Sequence, residues 1–342
     1  MSKGRGYSVA VVGATGLVGE AMLACLEQRK FPIRQLKLLA SERSSGRKLR
    51  ALGKEHVVGD LADCDFADVD FALFSAGGTV SKEHAPRAAA AGAVVVDNTS
   101  CFRYDDDVPL VVPEVNPEAL AGARARNLIA NPNCSTIQMV VALKPIYDAV
   151  GIRRINVATY QSVSGAGRSM VEELARQTAA LLNGRPVGKT LSPRQIAFNA
   201  LPQIDSFEAN GYTREEMKMA WETRKIFADP DIGVNATAVR IPVFFGHSEA
   251  VHLETVDKIS VAQVRKLLRK APGVQVLDRH VPGGYPTAVT EAAGADAVWV
   301  GRIREDISHP RGLSLWVVAD NIRKGAALNS VQIAEVFAKN YL

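Results

Sequence analysis

The sequence predicts an α/β protein: a doubly wound parallel sheet followed by a second, strand-rich α+β domain. Three observations carry this. The first third alternates short β-branched runs with helical patterns, as parallel strands joined by crossover helices do. A glycine-rich turn follows the first of those runs directly. Past residue 150 the pattern changes to longer segments in which apolar and polar residues alternate, as in half-exposed strands. At 342 residues the chain exceeds one ordinary core, and 47% hydrophobic residues suffice for two.

Tyr7 to Val12 reads as a buried strand, and Leu17 to Arg29 as a helix with Val18, Met22, Cys25 and Leu26 on one face. Strands are expected at Leu36 to Ala40, Val69 to Ser75 and Ala93 to Asp97, with an alanine-rich helix over Ser81 to Ala91 and a closing strand at Asn127 to Ala130. A core helix starts at Cys134 and runs through Thr136 to Leu143. In the second domain, strands are expected at Ile155 to Tyr160, Asn235 to Val243, Glu249 to Lys258, Ala297 to Arg304 and Leu313 to Val318, and a helix at Val261 to Lys270. Ala326 to Lys339 forms a last helix. The expected domains are 1–131 and 132–323, with a helix over about 324–342 returning to the first.

The net charge of +5 arises from 41 basic and 36 acidic residues spread along the chain, without a basic block. This argues against a nucleic-acid surface and is compatible with small anionic substrates. The apolar run Val9 to Val12 is cut short by Gly13, so neither a signal peptide nor a membrane span is expected, and the reading is cytoplasmic with no membrane partner. Cys25, Cys64, Cys101 and Cys134 are widely spaced, which suggests neither a metal site nor a disulfide framework.

Gly13-Ala14-Thr15-Gly16-Leu17-Val18-Gly19 lies between the first strand and the first helix. Glycines there allow a tight turn and close approach of the main chain to a pyrophosphate, which the helix N-terminus attracts. Gly13, Thr15, Gly16, Leu17 and Val18 are therefore candidate dinucleotide contacts on a Rossmann-like domain. At the end of the second strand Ser41, Arg43 and Ser44 can hold a 2′-phosphate, favouring NADP (NADPH), although Glu42 can instead accept a ribose hydroxyl. Ser75 and Gly77, ending the next long strand, belong to the same edge.

Asn131-Pro132-Asn133-Cys134-Ser135-Thr136 places one thiol at a helix start. A free cysteine has a pKa of about 8.5, and helix N-termini and neighbouring cations lower it. Alone, such a cysteine reads as a small buried hydrophobe. A cofactor domain just before it changes that reading toward acyl chemistry through a thioester. His247 follows an apolar run, Arg240-Ile241-Pro242-Val243-Phe244-Phe245, at a loop position suited to a proton shuttle. Arg240 begins that run and needs an anionic partner, for which a substrate carboxylate is suitable. Gln161 ends the preceding strand beside the flexible Ser164-Gly165-Ala166-Gly167. Glu215 and Lys218, three apart on a helix, read in isolation as a solvated ion pair.

These segments, with Asn98-Thr99-Ser100, Glu215-Glu216-Met217-Lys218 and Asp320-Asn321-Ile322-Arg323-Lys324-Gly325, resemble the aspartate-semialdehyde dehydrogenase family over essentially the whole chain, on its shorter bacterial branch. The resemblance implies that Cys134 is the nucleophile and His247 the general acid/base. It implies that Arg240 and Glu215 bind the substrate carboxylate and ammonium, and that Gln161 orients the acyl group. Arg103, Lys218 and Asn133 would hold phosphate. Thr15 to Val18, Arg43, Ser44, Ser164, Gly165 and Asn321 would contact NADP. The implied reaction reduces L-aspartyl 4-phosphate to aspartate semialdehyde and phosphate, on the way to lysine and diaminopimelate, methionine, threonine and isoleucine, by a homodimer built on the second domain. N-acetyl-glutamyl-phosphate reductases share the plan, but Glu215 would face a neutral amide there; the cysteine motif differs from that of glyceraldehyde-phosphate dehydrogenase. A binding protein that kept the fold without activity would have no need of Cys134, His247 and Arg240 together.

Overall fold

The computed structural model describes residues 6–342. They divide into two units, one running to Asn133 and joined by Ala326–Leu342, the other Cys134–Gly325.

The first unit contains β1 (Tyr7–Val12), α1 (Leu17–Gln28), β2 (Ile33–Ala40), β3 (Lys48–Ala51), β4 (Lys54–Asp60), β5 (Phe71–Phe74), α2 (Gly78–Ala90), β6 (Val94–Asp97) and β7 (Leu128–Ala130). Its sheet has the order β3-β4-β2-β1-β5-β6-β7. Every neighbouring pair is parallel except β3 with β4. Without β3, the parallel strands follow the order typical of dinucleotide folds, which reverses direction between β1 and β5, where a ligand crevice opens. Val9 to Val12 and Phe71 to Phe74 are wholly buried, as strands covered on both faces must be. Met22, Cys25 and Leu26 turn the expected face of α1 inward. The C-terminal helix, Leu328–Tyr341, packs in this unit: Phe337 meets Phe71 edge to face, and Arg29 grips Glu335 through two hydrogen bonds of 2.7 and 2.6 Å.

The second unit opens with α3 (Cys134–Val150), then β8 (Ile152–Gln161), α4 (Arg168–Leu182), α5 (Arg214–Phe227), β9 (Gly233–Arg240), β10 (His247–Thr255), α6 (Val261–Lys270), β11 (Val274–Val276), β12 (Val298–Glu305) and β13 (Gly312–Ala319). Its mixed sheet has the order β11-β12-β13-β10-β8-β9. Ser135 to Leu143 of α3 are all buried, polar residues included, so this helix is covered on every side. The helices α5 and α6 start in capping boxes, Thr213 with Glu216 and Ser260 with Gln263, each satisfying two otherwise unpaired N–H groups. Among the described residues no helix is long and apolar enough to cross a membrane.

The structure corrects several boundaries. The strand expected over Asn235 to Val243 ends at Arg240, so Arg240 is its last residue and does not begin the apolar run. Pro242 has no N–H to give to a ladder. Ile241 instead donates to the Gln161 carbonyl, and Val243 and Phe244 accept from Val163 and Ser164, wrapping the segment around the end of β8. His247 does not lie in a loop but opens β10, two residues before the expected start. The hairpin β3–β4 and the helix α4 were not expected from sequence.

Candidate active site

In the first unit the glycine loop has the shape that a dinucleotide requires. Gly13 has φ +85°, and a Cβ there would stand 2.5 Å from the Ser75 carbonyl oxygen. A Cβ on Gly19 would reach within 2.2 Å of the Gly13 oxygen, so the third glycine lets α1 press against the turn. The Gly13 and Ala14 N–H groups bond to the Leu39 carbonyl, at the end of β2. Gly16, which begins α1 with no side-chain cap, is exposed, and Thr15, Leu17 and Val18 are half-buried around it. Gly77 (φ +94°) opens α2 with nothing within 4 Å of a would-be Cβ. Ser41 and Arg43 are exposed, Ser44 is buried, and Ser75 is half-buried. These features fit a nicotinamide dinucleotide laid across the carboxyl ends of β1, β2 and β5.

The same unit carries Arg103 and Asn133, both largely buried. Arg103 donates through Nη2 to the Asn98 carbonyl at 2.9 Å. Asp97, at the end of β6, fixes that stretch: it accepts from Ser81 Oγ at 2.8 Å and from the Thr99 hydroxyl and N–H at 2.8 and 3.1 Å. A relay of asparagine amides continues from there. Asn131 donates to Asn98 Oδ1 and accepts from Asn329, each at 2.7 Å.

In the second unit the groups converge at strand ends. Cys134 is half-exposed at the first residue of α3, and a Cβ on Gly325 would come within 2.7 Å of its Cβ. Gln161 ends β8, Arg240 ends β9 in register with it, and His247 opens β10. The Gln161 amide nitrogen donates to Glu215 Oε1 at 3.1 Å, while Thr159 Oγ1 donates to its oxygen at 3.0 Å. Lys218 Nζ lies 2.9 Å from Glu215 Oε2 and 2.8 Å from Asp205 Oδ2. Glu215 and Lys218 are thus not a solvated pair: their side chains are 7% and 12% exposed. Burial works against the Lys218 charge, but Glu215 and Asp205 outweigh it and raise its pKa. Arg240 donates from Nη1 to the Ser162 carbonyl at 2.7 Å. Burial lowers its pKa, opposed by Glu215 and Cys134. The ring of His247 is wholly buried, its pKa pushed down to about 3 by desolvation, with the Arg240 charge adding to the effect. Gly165 leaves room beside these groups, since a Cβ there would stand 3.1 Å from Arg240 Nη1 and 3.4 Å from His247 Nε2. Ser164 and Asn321 are buried and bonded to one another, Asn321 Nδ2 donating to Ser164 Oγ at 3.0 Å.

A second polar layer lies one step deeper on the same three elements. Gln138 is one turn past Cys134 on α3, Glu249 two residues past His247 on β10, and Thr159 two before Gln161 on β8, facing Glu249 in register. Glu249 is wholly buried, and neither of its oxygens makes a hydrogen bond of normal geometry. Desolvation pushes its carboxyl well above the usual range, against the weaker effect of the Gln138 amide. An acid whose pKa is raised on folding costs stability as pH rises, because above about 4.5 the unfolded chain gives up this proton more readily than the folded chain does. Glu249→Gln is therefore expected to match the wild type in thermal stability near pH 4.5 and to exceed it by roughly 3 °C or more at pH 8. An equal difference at both pH values in a melting series would refute this.

Sequence reasoning missed Ser162, Asp205 and Glu249. Glu249 had a readable signal, a carboxylate at an inward position of an alternating strand beside His247. Ser162 and Asp205 had none: Ser162 meets the His247 ring with its main-chain N–H as well as its hydroxyl, and Asp205 sits in a loop at φ +71°.

Residues 8–123 match the family described as semialdehyde dehydrogenase, NAD binding domain, and residues 143–324 match semialdehyde dehydrogenase, dimerisation domain. An aspartate-semialdehyde dehydrogenase of Legionella pneumophila is 63% identical, covering 99% of this chain and 97% of that protein. The structure of aspartate semialdehyde dehydrogenase II of Vibrio cholerae, complexed with ASA, superposes with a TM-score of 0.97 at 59% identity, over 99% of this chain and 100% of that one. The enzyme from Candida albicans, solved with NADP, gives 0.75 at 26% identity, over 98% and 99% of the two chains. The chain belongs to the aspartate-semialdehyde dehydrogenase family, the oxidoreductases of aspartate-derived amino-acid biosynthesis.

Proposed function

We propose that this enzyme uses NADPH to reduce L-aspartyl 4-phosphate to L-aspartate 4-semialdehyde and phosphate, through a thioester on Cys134. The observation that carries the reading is the grouping of Arg240, Glu215, Gln161 and His247 in the unit that begins at Cys134. A substrate bearing an α-carboxylate and an α-ammonium needs a cation and an anion held apart, and Arg240 and Glu215 supply them. Gln161 is fixed at both ends of its amide, by Thr159 and Glu215, so it orients the acyl group without rearranging.

The Cys134 sulfur attacks the β-carbonyl carbon, and phosphate departs toward the Lys218 ammonium. The nicotinamide ring, when bound, supplies the hydride. The carbonyl oxygen of the thioester becomes an oxyanion at that step, and His247 attends it. The dinucleotide cradle of the first unit supports cofactor binding, and exposed Arg43 beside Ser41 and Ser44 supports NADP over NAD. The active assembly is a cytoplasmic homodimer formed through the second unit.

The test is a reverse assay with aspartate semialdehyde, phosphate and either cofactor. Phosphate-dependent reduction is expected, with kcat/KM for NADP at least about tenfold above that for NAD, as for one added charge-assisted contact. Preference for an N-acetylated glutamate semialdehyde would refute the substrate, and preference for NAD would refute the cofactor.

A further inference from the structure

The Lys218 ammonium is shared by two carboxylates that are held very differently. Glu215, three residues before it on α5, lies 2.9 Å from Nζ, and its other oxygen accepts from the Gln161 amide at 3.1 Å, so this partner is itself fixed. Asp205 lies 2.8 Å from Nζ but comes from the loop ahead of α5, and its side chain is 36% exposed against 7% for Glu215. Burial opposes the Asp205 charge, yet the Lys218 ammonium and the Ser206 N–H together outweigh it and lower the pKa, while the Glu215 charge works the other way. Asp205 is therefore an anion at neutral pH, set against a second anion across one ammonium. Lys218 does not need it for placement, because the pairing with Glu215 on the same helix already directs Nζ.

The charges of these side chains balance before any substrate arrives, Arg240 and Lys218 against Glu215 and Asp205. An amino-acid head group adds one charge of each sign, which Arg240 and Glu215 take up in the functional reading above. Phosphate is then the surplus anion, and the ammonium it needs already holds Asp205. We infer that Asp205 is the internal competitor of phosphate for the Lys218 ammonium, a residue that sets phosphate affinity and returns to Nζ as phosphate leaves. This rests on the thioester reading, in which phosphate departs toward Lys218. No covalent bond to Asp205 forms or breaks; one anion replaces another. A competitor tethered within reach acts at high effective concentration and shortens the stay of the product. The loop suits the exchange. Its main chain is anchored on both sides of Asp205, by Leu201, which exchanges two hydrogen bonds with Arg240, and by Ser206, whose carbonyl accepts from the Arg214 N–H at 2.8 Å. Turning the exposed carboxylate toward solvent thus leaves the loop in place.

Asp205→Asn isolates the charge. Asp205 has φ +71°, in the left-handed region that aspartate and asparagine enter more readily than other side-chain-bearing residues. The amide keeps an oxygen for the Ser206 N–H, which Asp205 Oδ1 accepts at 2.8 Å, or for Lys218, and only the negative charge is lost. In the reverse assay this variant is expected to lower KM for phosphate about fivefold and to leave KM for the semialdehyde within about twofold, as for removal of one opposing charge beside a bound anion. Calorimetric titration of the full chain with inorganic phosphate reads the same contrast without turnover, with binding tightened by a similar factor. A residue that merely held Lys218 in place would give the opposite sign, or no change where asparagine keeps the contact. Phosphate binding that is unchanged or weakened in Asp205→Asn, against a phosphate-dependent wild type, would overturn the inference alone. A wild type that reduces NADP equally well without phosphate would bring down the functional reading, and the inference with it.

Discussion

Cys134→Ala is expected to lower phosphate-dependent reduction of NADP by aspartate semialdehyde about 10⁴-fold or more, while the melting temperature and NADP affinity stay near wild type. The size follows from the route: without sulfur there is no thioester, and a methyl group offers no other way to hold the acyl carbon. Retention of the fold follows from position. Cys134 is half-exposed at the tip of α3, and the anchoring residues of that helix, Ser135 to Leu143, are untouched. Turnover within tenfold of wild type, measured with calorimetry and NADP titration on the same preparation, would remove Cys134 from the mechanism.

Arg240→Lys is expected to reduce kcat/KM for aspartate semialdehyde about 10²-fold, mostly through KM. The charge survives the change, so a purely electrostatic role would predict little effect. The geometry predicts more. Arg240 commits Nη1 to the Ser162 carbonyl and, in the proposed role, offers the rest of its planar fork to a carboxylate, whereas a lysine ammonium cannot reach both in fixed directions. The main chain of Arg240 is held on both sides, exchanging two hydrogen bonds with Leu201 and pairing with Gln161 in the sheet. The position therefore cannot shift to compensate. A kcat/KM within about threefold of wild type would show that the fork is not used.

Much of the first unit was legible because its signals are local. The glycine loop, the wholly apolar strands and the face of α1 are each set by a few adjacent residues. The hairpin β3–β4 escaped because charged residues, Lys48, Arg50, Lys54 and Glu55 among them, outnumber the few apolar ones, Leu49, Ala51 and Val58, that it turns to the core. The helix α4 escaped for the opposite reason. Its inward stripe contains Glu173 and Gln177, which are buried because they bond to each other at 2.7 Å and accept the N–H groups of Leu191, Ile196 and Ala197. A polar pair that caps a distant loop looks, in sequence, like a solvated face. Glu215 and Lys218 misled in the same way, since Asp205 and Gln161, which make their burial tolerable, are far away in the chain. The place of Cys134 at a helix start was legible from its hexapeptide, but the contact of Ser162 with the His247 ring was not, because a main-chain N–H carries no residue identity.

Gln161, Arg240 and His247 each stand at the last or first position of a strand, level with one another. The sheet register sets the spacing of the three groups, and a single-residue slip within β8 or β10 would turn the strand face that carries them inside out.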